Sequence, residues 1–276
     1  MVTTDHLLGV LHPLLHLTRG ALDELRSLLA VLLGLNAQPL HAADVAGWQR
    51  RDAEVRSAED ARLLYRESHF IRTGARSERW VAYRCPDGAA FARKHVQGGS
   101  AAPAFALEDG RGYAEGLHAG SGTRTAYAGG DGDRSERSVR VPADGVADAG
   151  FDAAVRANWD ALMRGQALRL HFLVPSRHRF YPLRVQRAGS LDWRGIPAER
   201  LRMRLDSWFG FVVPEVRLVY ARDDRRLLEF AGTGNIRDAR GGNPQVRIAF
   251  EPRARAVDDA QVAALRGDPL RGRCAI

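Results

Sequence analysis

The chain has 276 residues, of which 45% are hydrophobic, and a formal net charge of +8. This length allows one large domain or two small ones, and β-rich domains of roughly 200 to 250 residues occur as single units. The hydrophobic fraction is ordinary for a globular protein, which excludes a chain that is disordered throughout. We therefore expect one folded domain with a substantial core.

Arginine supplies nearly all of the positive charge, because Lys94 is the only lysine in the sequence. Residues 151–252 contain 18 Arg against 11 Asp plus Glu, whereas residues 43–150 contain 16 basic and 16 acidic side chains. Such an excess of cations in one part of a chain favours an anionic partner, for example a lipid headgroup, a polysaccharide or a nucleic acid. A solvated basic face is the alternative interpretation.

The first 43 residues have the order of a secretory signal peptide. Arg26 precedes the apolar run 28–35, which is followed by Pro39 and by the small-residue site Leu40-His41-Ala42-Ala43. Positive charge, a short apolar segment and an alanine-containing cleavage site are the parts of an export signal. We therefore predict that residues 1–42 are removed near Ala43 and that the protein is periplasmic or secreted.

The residues before Arg26 form an extension that an export signal does not need. A translation start assigned too far upstream explains it, so we interpret 1–42 as a signal peptide preceded by a mis-assigned extension. A helical hairpin around Pro13 and Gly20, retained on the mature protein, is the alternative.

The rest of the chain is dominated by short segments of alternating character. Pro86-Asp87-Gly88 separates two such segments and is typical of a hairpin turn. About ten segments of this kind are expected to be strands. We interpret the polar stretch 44–62 as helical and the Gly- and Asp-rich stretch 119–137 as a loop.

A single main helix is predicted after that loop. Phe151, Val155, Trp159 and Leu162 are spaced so that they share one helix face, and Gly165 ends the pattern. The sequence therefore predicts a mainly β (α+β) fold, a curved antiparallel sheet or incomplete barrel of about ten strands with one helix packed on it. We place this single domain at 43–252 and a C-terminal helix or loose tail at 253–276.

Several short segments resemble those of a family of uncharacterised exported bacterial proteins, over roughly residues 60–252. The segments are Tyr65–His69, Tyr83–Gly88, Leu218–Tyr220, Arg225–Phe230 and Gly234–Ile236. The expected layout also resembles that of the periplasmic lipoprotein-carrier proteins, whose half-barrels hold acyl chains on a concave apolar face. This second resemblance is to architecture alone, so it implies a ligand class and assigns no binding residue.

Two groups of residues are candidates for ligand binding. Arg200, Arg202 and Arg204 alternate with apolar residues, so they share one strand face. On a concave face they would meet phosphate or carboxylate groups, and on a convex face they would solvate the sheet. Trp208, Phe209 and Phe211, together with Trp193 and Val213, form an apolar cluster that would line a cavity or close one end of the core.

Glu67 and His69 are the best candidates for chemistry, because residues two apart in a strand point to the same face. With a third partner such as His95 or His171 they would bind a metal or exchange protons. A structural Glu–His pair is the alternative. Nucleophile elbows, metalloprotease motifs, phosphate-binding loops and dinucleotide fingerprints are all missing from the sequence.

Cys85 and Cys274 form no metal or redox motif, which leaves a long-range disulfide or two separate thiols. We predict a monomeric exported binding or carrier protein for a lipid or other anionic amphiphile, with only transient membrane contact. No cofactor, metal or nucleic acid is implied. The alternatives are an envelope enzyme with a site at Glu67 and His69, and a structural envelope protein that binds a partner through its basic sheet face.

Overall fold

The computed structural model describes residues 47–75, 77–206 and 214–276. The predicted signal peptide at 1–42 lies outside these ranges. Trp208, Phe209 and Phe211, three of the predicted ligand-binding residues, lie outside them as well.

Strands make up most of the described chain. Nine of them precede the described helices: β1 Trp48–Ser57, β2 Leu63–Arg72, β3 Glu78–Arg84, β4 Ala90–Gln97, β5 Ala104–Asp109, β6 Ala114–Leu117, β7 Thr123–Gly129, β8 Ser135–Arg140 and β9 Gly145–Val146. Two helices follow, α1 Gly150–Ala157 and α2 Trp159–Met163. Then come β10 Leu168–Val174, β11 Arg179–Trp193, β12 Ile196–Leu205, β13 Val216–Ala221, β14 Leu227–Thr233, β15 Gln245–Phe250, β16 Arg255–Val257 and the helix α3 Asp259–Gly267.

These strands form one sheet in which sequence neighbours mostly pair with each other. The order is β8-β7-β6-β5-β4-β3-β2-β1-β15-β14-β13-β12-β11-β10-β9, and β16 pairs with β1. The pairing of β9 with β10 is parallel and the others are antiparallel. Within the described ranges the two end strands, β8 and β9, do not pair, so hydrogen bonds do not close the sheet.

The prediction of a mainly β fold with an antiparallel sheet is confirmed. The predicted count of about ten strands is wrong, because the described residues alone form sixteen. Stretch 44–62 contains β1 and not a helix: Ala53 and Val55 are buried and alternate with exposed neighbours. Stretch 119–137 contains β7 and the start of β8. Its buried residues include the small Ala126 and Ala128, which do not produce the bulky alternation by which the other strands were recognised.

The two ends of the sheet meet through side-chain packing. Leu117 and Ala126 in the first half pack with Leu173 and Phe180 in the second. His178 Nε2 lies 3.1 Å from the backbone carbonyl oxygen of Ser135 at the start of β8, and donates to it. The sheet therefore curls until its ends touch, and its concave face encloses an interior.

Helices α1 and α2 lie inside this curve. Val155, Trp159 and Leu162 are buried against side chains of the concave face of β10–β13, such as Leu201 and Leu218. The predicted helix is thus confirmed, although Asn158 divides it into two short segments. None of the helices in the described ranges has the length and apolar character needed to span a bilayer.

The convex face of β1–β3 is covered by α3. The Asp258 side chain accepts a hydrogen bond from the backbone N–H of Gln261 at 2.8 Å and so caps the helix. Val262 and Leu265 then pack on an outward-facing cluster that includes Phe70. Residues 253–276 therefore add one strand and one helix to the sheet.

A disulfide joins Cys85 to Cys274 across 189 positions of sequence, with 5.3 Å between their Cα atoms. Cys85 follows β3, and the bond holds the end of the chain against the turn between β3 and β4. Nearby, the backbone N–H groups of Arg271 and Gly272 donate to the carbonyl oxygen of Ala90. The disulfide interpretation of the two cysteines is the one the structure supports.

Reduction of this disulfide is expected to lower the free energy of unfolding by about 2 to 4 kcal/mol, because it removes a cross-link from the unfolded chain. Urea unfolding with and without reductant measures the change. The double variant Cys85→Ser/Cys274→Ser serves as control, and its midpoint should not respond to reductant. A wild-type midpoint that reductant leaves unchanged would contradict the bond.

Candidate functional site

A cavity of about 200 Å³ lies inside the curled sheet, between α1 and the concave face of β1–β4, β14 and β15. Much of its wall is apolar and aromatic: Phe151, Phe172, Leu227, Phe230, Ile248 and Phe250. Into the same space point the polar side chains Glu67, His69, Lys94 and Asp148. Apolar walls with a few convergent polar groups are typical of small-molecule sites.

A wider crevice of about 880 Å³ adjoins the cavity at the end of the sheet where β1 begins and β2 ends. Six residues line both spaces: Arg51, Ile71, Arg79, Ala149, Asp152 and Arg156. The cavity therefore opens into the crevice, which provides a path to solvent.

Strand register brings the charged residues of the cavity together. Arg51 lies opposite His69, His69 opposite Val81, and Val81 opposite Lys94, so these four form one row across β1–β4. Neighbouring strands lie about 4.8 Å apart. Glu67 comes two residues before His69 on β2 and faces the same way.

Glu67 and His69 form a buried pair, with relative exposures of 3% and 8%. His69 Nε2 lies 2.7 Å from Glu67 Oε2, and the imidazole ring contacts the ring of Phe250 with centroids 5.3 Å apart. Burial lowers the pKa of His69, and the hydrogen bond that His69 donates to Glu67 opposes that shift only in part. A neutral ring that donates from Nε2 to the carboxylate leaves Nδ1 as a proton acceptor.

Lys94 and Asp148 form a second buried pair. Lys94 Nζ lies 2.7 Å from Asp148 Oδ1, and the two side chains are only 7% and 10% exposed. Asp148 precedes α1 and has a φ of +47°, in the left-handed region that aspartate tolerates better than most residues. Its other oxygen, Oδ2, is buried and accepts no hydrogen bond from the described residues.

Two arginines stand where the cavity meets the crevice. The Arg51 guanidinium donates to the carbonyl oxygens of Leu227 and Glu251 at 2.6 and 2.7 Å, and burial lowers the pKa of Arg51 to about 10. It remains a cation at neutral pH, and these two contacts use two of its five N–H donors. Arg79 forms no side-chain hydrogen bond or ion pair with any residue in the described ranges, so its charge is available.

The ionisable groups that line the cavity, with His69 neutral, comprise four cations and three anions, a net charge of +1. The cations are Arg51, Arg79, Lys94 and Arg156, and the anions are Glu67, Asp148 and Asp152. Asp152 and Arg156 pair with each other on α1 at 3.1 Å. With Lys94 and Asp148 paired as well, the cations Arg51 and Arg79 and the anion Glu67 are the lining charges left without an oppositely charged partner among the described residues.

Tyr83 and Asn235 add neutral hydrogen-bonding groups to the wall. Asn235 Nδ2 donates to Tyr83 Oη at 3.0 Å, and burial raises the pKa of Tyr83 well above its usual value. The phenol is therefore neutral, and its own O–H remains a donor. Thr233 supplies the one aliphatic hydroxyl among the described lining residues, and no serine or cysteine is among them.

The predicted third partners of Glu67 and His69 do not join them. His95 points to the convex face, where it stacks on Trp80 with centroids 3.9 Å apart and lies 2.9 Å from Glu78. His171 pairs with Asp144 near the surface. No group of three His, Cys, Asp or Glu suited to a metal occurs in the ranges that the structure covers.

The other predicted binding residues that the structure describes lie away from the cavity. Arg200, Arg202 and Arg204 are exposed on the convex face of β12, with Leu201 and Met203 buried on the concave face. Trp193 packs in a separate cluster with Ala198 and Val219, on that same convex face. Their predicted role in ligand binding stays a prediction.

Sequence reasoning missed most of the cavity, including Arg51, Arg79, Lys94, Tyr83 and Asp148. One signal was present: the chain carries 41 Lys plus Arg, and the single lysine among them is the buried Lys94. A primary ammonium is smaller than a guanidinium and carries its three donors on one nitrogen. The single lysine in an arginine-rich sequence therefore indicated a buried site.

No protein-family model matches this sequence, and no curated protein sequence matches it. A β-barrel-like protein of the domain of unknown function DUF1849 from Brucella abortus is similar in structure, at 8% identity and a TM-score of 0.47, over 77% of this chain and 98% of that one. A DUF1329 family protein from Desulfovibrio piger is similar over 83% and 93% of the two chains, at 10% identity and a TM-score of 0.31. Both likenesses are to uncharacterised proteins and are too weak to bear on function.

Lys94→Met is expected to lower the free energy of unfolding by about 3 to 5 kcal/mol, because it leaves Asp148 as an uncompensated buried charge. Lys94→Met/Asp148→Asn should lose less, since the charge is gone and asparagine also tolerates positive φ. Arg56→Met, which breaks the exposed pair with Glu54, is the control and should cost about 1 kcal/mol or less. Chemical denaturation measures all three, and equal losses for Lys94→Met and Arg56→Met would contradict the buried pair.

The lowered pKa of His69 predicts a pH dependence of stability. A histidine that resists protonation when folded takes up its proton more readily when unfolded, so stability should fall as pH drops below about 6.5 and level off beneath the lowered folded-state pKa. Unfolding free energies measured between pH 8 and 5 should show a shallower decline in His69→Gln than in the wild type. His118→Gln removes an exposed histidine and should keep the wild-type slope. The same slope in both variants would show that His69 does not cause it.

Proposed function

We propose that this chain is a binding or carrier protein for a small anionic amphiphile, exported from the cytoplasm after removal of residues 1–42. The apolar part of the ligand lies against the phenylalanine rings of the cavity. Its anionic group lies at the opening, next to Arg79. The observation that carries this proposal is an aromatic-walled cavity whose entrance holds a cation without a described partner.

The walls support the apolar part of the proposal. Phe151, Phe172, Phe230 and Phe250 contribute four rings from four different elements. Apolar surface that is removed from water by a ligand contributes roughly 25 cal/mol per Å² to binding. A hydrocarbon or aromatic group is the chemical class that gains most from such walls.

The charges support the anionic part. The cavity lining has a net charge of +1, and Arg79 is the lining cation without a described partner. A carboxylate, sulfonate or phosphate bound there forms charge-assisted hydrogen bonds, which are roughly twice as strong as neutral ones. Deeper in the cavity Glu67 and Asp148 would repel the same group, so the anionic end is held at the opening.

The dimensions suit a ligand that uses both spaces. Ligand pockets are typically about 300 to 1,000 Å³, and the inner cavity of about 200 Å³ is smaller than that. The adjoining crevice of about 880 Å³ extends it. A single chain or a small ring system in the cavity, with the charged end in the crevice, fits this arrangement better than a bulky multi-chain lipid.

A second candidate function is an enzyme in which His69 Nδ1 accepts a proton from a bound substrate. The buried contact of 2.7 Å with Glu67, which orients the neutral ring, favours it. The ligand recovered from a saturated complex after prolonged incubation separates the two functions. An unchanged ligand supports binding alone, and a ligand altered by the wild type but not by His69→Gln supports catalysis.

Displacement of the anionic fluorophore 1-anilinonaphthalene-8-sulfonate by decanoate and by decanol tests the proposed function. Decanoate should compete better than decanol, because only decanoate carries the charge that Arg79 binds. Arg79→Gln should weaken decanoate about tenfold or more, since a hydrogen bond to a charged group contributes about 1.5 to 3 kcal/mol. The affinity for decanol should not change.

Arg137→Gln is the matched control, because Arg137 is an exposed arginine of β8 outside both spaces. It makes the same change in net charge and should leave both affinities unaltered. Equal competition by decanoate and decanol, or equal weakening in the two variants, would contradict the proposed function.

A further inference from the structure

The convex side of β10–β13 carries a dense group of arginines, which we name the arginine face. Its members are Arg169, Arg184, Arg200, Arg202, Arg204 and Arg217. Arg184 is half-buried and the other five are exposed. None of the six lines the cavity or its crevice.

The register of the sheet places five of these arginines directly opposite one another, and Arg200 lies opposite Gly189 and Val219. Arg184 lies between Arg169 on β10 and Arg204 on β12, opposite both. Arg202 lies opposite Arg217 on β13. Directly opposed side chains in an antiparallel pair have Cβ atoms about 5 Å apart, and like charges there destabilise the sheet.

Among the described residues, acidic partners lie only at one margin of the face. Asp206 lies 3.2 Å from Arg169, and Glu215 lies 3.7 Å from Arg204. Arg200, Arg202 and Arg217 form no ion pair with the residues that the structure describes. Two acids against six arginines leave an excess of four positive charges on this surface.

One nitrogen atom of Arg184 also has no hydrogen-bond partner. Its Nε is buried and has no hydrogen-bond acceptor within the described ranges. A buried donor that is left unsatisfied costs free energy, which a bound acceptor would recover.

The same sheet also shows how an opposed arginine pair is normally compensated. Arg56 and Arg247 lie opposite each other on β1 and β15, in the cross-strand row that contains Arg202 and Arg217. Each has its own carboxylate, Glu54 at 2.8 Å and Glu229 at 2.7 Å. The opposed pair Arg202 and Arg217 has no such carboxylates among the described residues, which distinguishes the arginine face from the rest of this row.

We propose that the arginine face docks on a bilayer that contains anionic phospholipids. Guanidinium groups bind phosphate through paired hydrogen bonds, and arrays of arginines are suited to such recognition. Four adjacent strands span about 14 Å, which is wide enough to contact several headgroups at once. The choice of a bilayer over a soluble polyanion rests on the proposed function, because an amphiphile is taken from, or delivered to, a membrane.

Sedimentation of the full chain with vesicles tests this docking without added ligand. The vesicles consist of phosphatidylcholine alone or of a mixture with about one third phosphatidylglycerol, at low ionic strength. Wild-type protein should bind the anionic vesicles more strongly, and added salt should reduce the difference. Arg202→Gln/Arg217→Gln should weaken this binding roughly 25-fold, about fivefold for each arginine removed.

Arg137→Gln/Arg140→Gln is the matched control, because both are exposed arginines of β8 and the change in net charge is the same. Its binding should stay within about twofold of the wild type. All three proteins share residues 1–46, so vesicle binding by that segment is common to them. Equal weakening in the two double variants would overturn the proposal, and so would failure of the wild type to prefer anionic vesicles.

Two further outcomes distinguish membrane docking by the arginine face from polyanion binding and from ligand binding in the cavity. Binding of soluble inorganic polyphosphate that depends on Arg202 and Arg217, without binding to vesicles, would replace the bilayer with a soluble polyanion and so overturn the proposal. Decanoate binding, measured in the absence of vesicles, should be unchanged in Arg202→Gln/Arg217→Gln. If decanoate does not bind but vesicle binding requires these two arginines, the proposed function fails and the docking surface stands.

Discussion

The buried ion pair between Lys94 and Asp148 is the contact on which the cavity depends. Lys94 belongs to β4, and Asp148 immediately precedes α1, the helix that forms the opposite wall. The position of α1 depends on this pair, on packing, and on the hydrogen bond that the backbone N–H of Ala147 donates to the carbonyl oxygen of Ala101. Two buried charges are costly even when they are paired, so the pair adds little net stability. Its effect is to fix the arrangement of the strand relative to the helix.

Charged residues lie on both faces of the sheet, in positions where they do not help it to pack. On the concave face, Arg51, His69 and Lys94 occupy positions that would be apolar in a sheet built only to pack. On the convex face, Arg202 and Arg217 oppose each other without described acids. Both arrangements cost stability, and proteins usually depart from consistent patterning where a site requires it. The proposed ligand cavity and the proposed membrane-docking surface would give each arrangement a purpose.

Sequence reasoning predicted the parts of the fold that follow simple patterns and failed where polar residues of the cavity interrupt those patterns. Alternation identified several strands of the second half, and helical spacing identified α1 and α2. The stretch that contains β1 was interpreted as helical because it is polar. One of its polar residues, Arg51, lines the cavity. Glu67 and His69 were found because they are two residues apart. Lys94 and Asp148 are 54 residues apart, and only the register and the path of the chain into α1 bring them together.

The structure of crystals of the protein soaked with decanoate would test ligand binding in the cavity directly. We expect electron density for the hydrocarbon chain among the phenylalanine rings of the cavity, with the carboxylate within hydrogen-bond distance of Arg79. A cavity that holds only ordered water at saturating decanoate would contradict the carrier proposal. A ligand bound with its carboxylate buried beside Glu67 and Asp148 would contradict it as well.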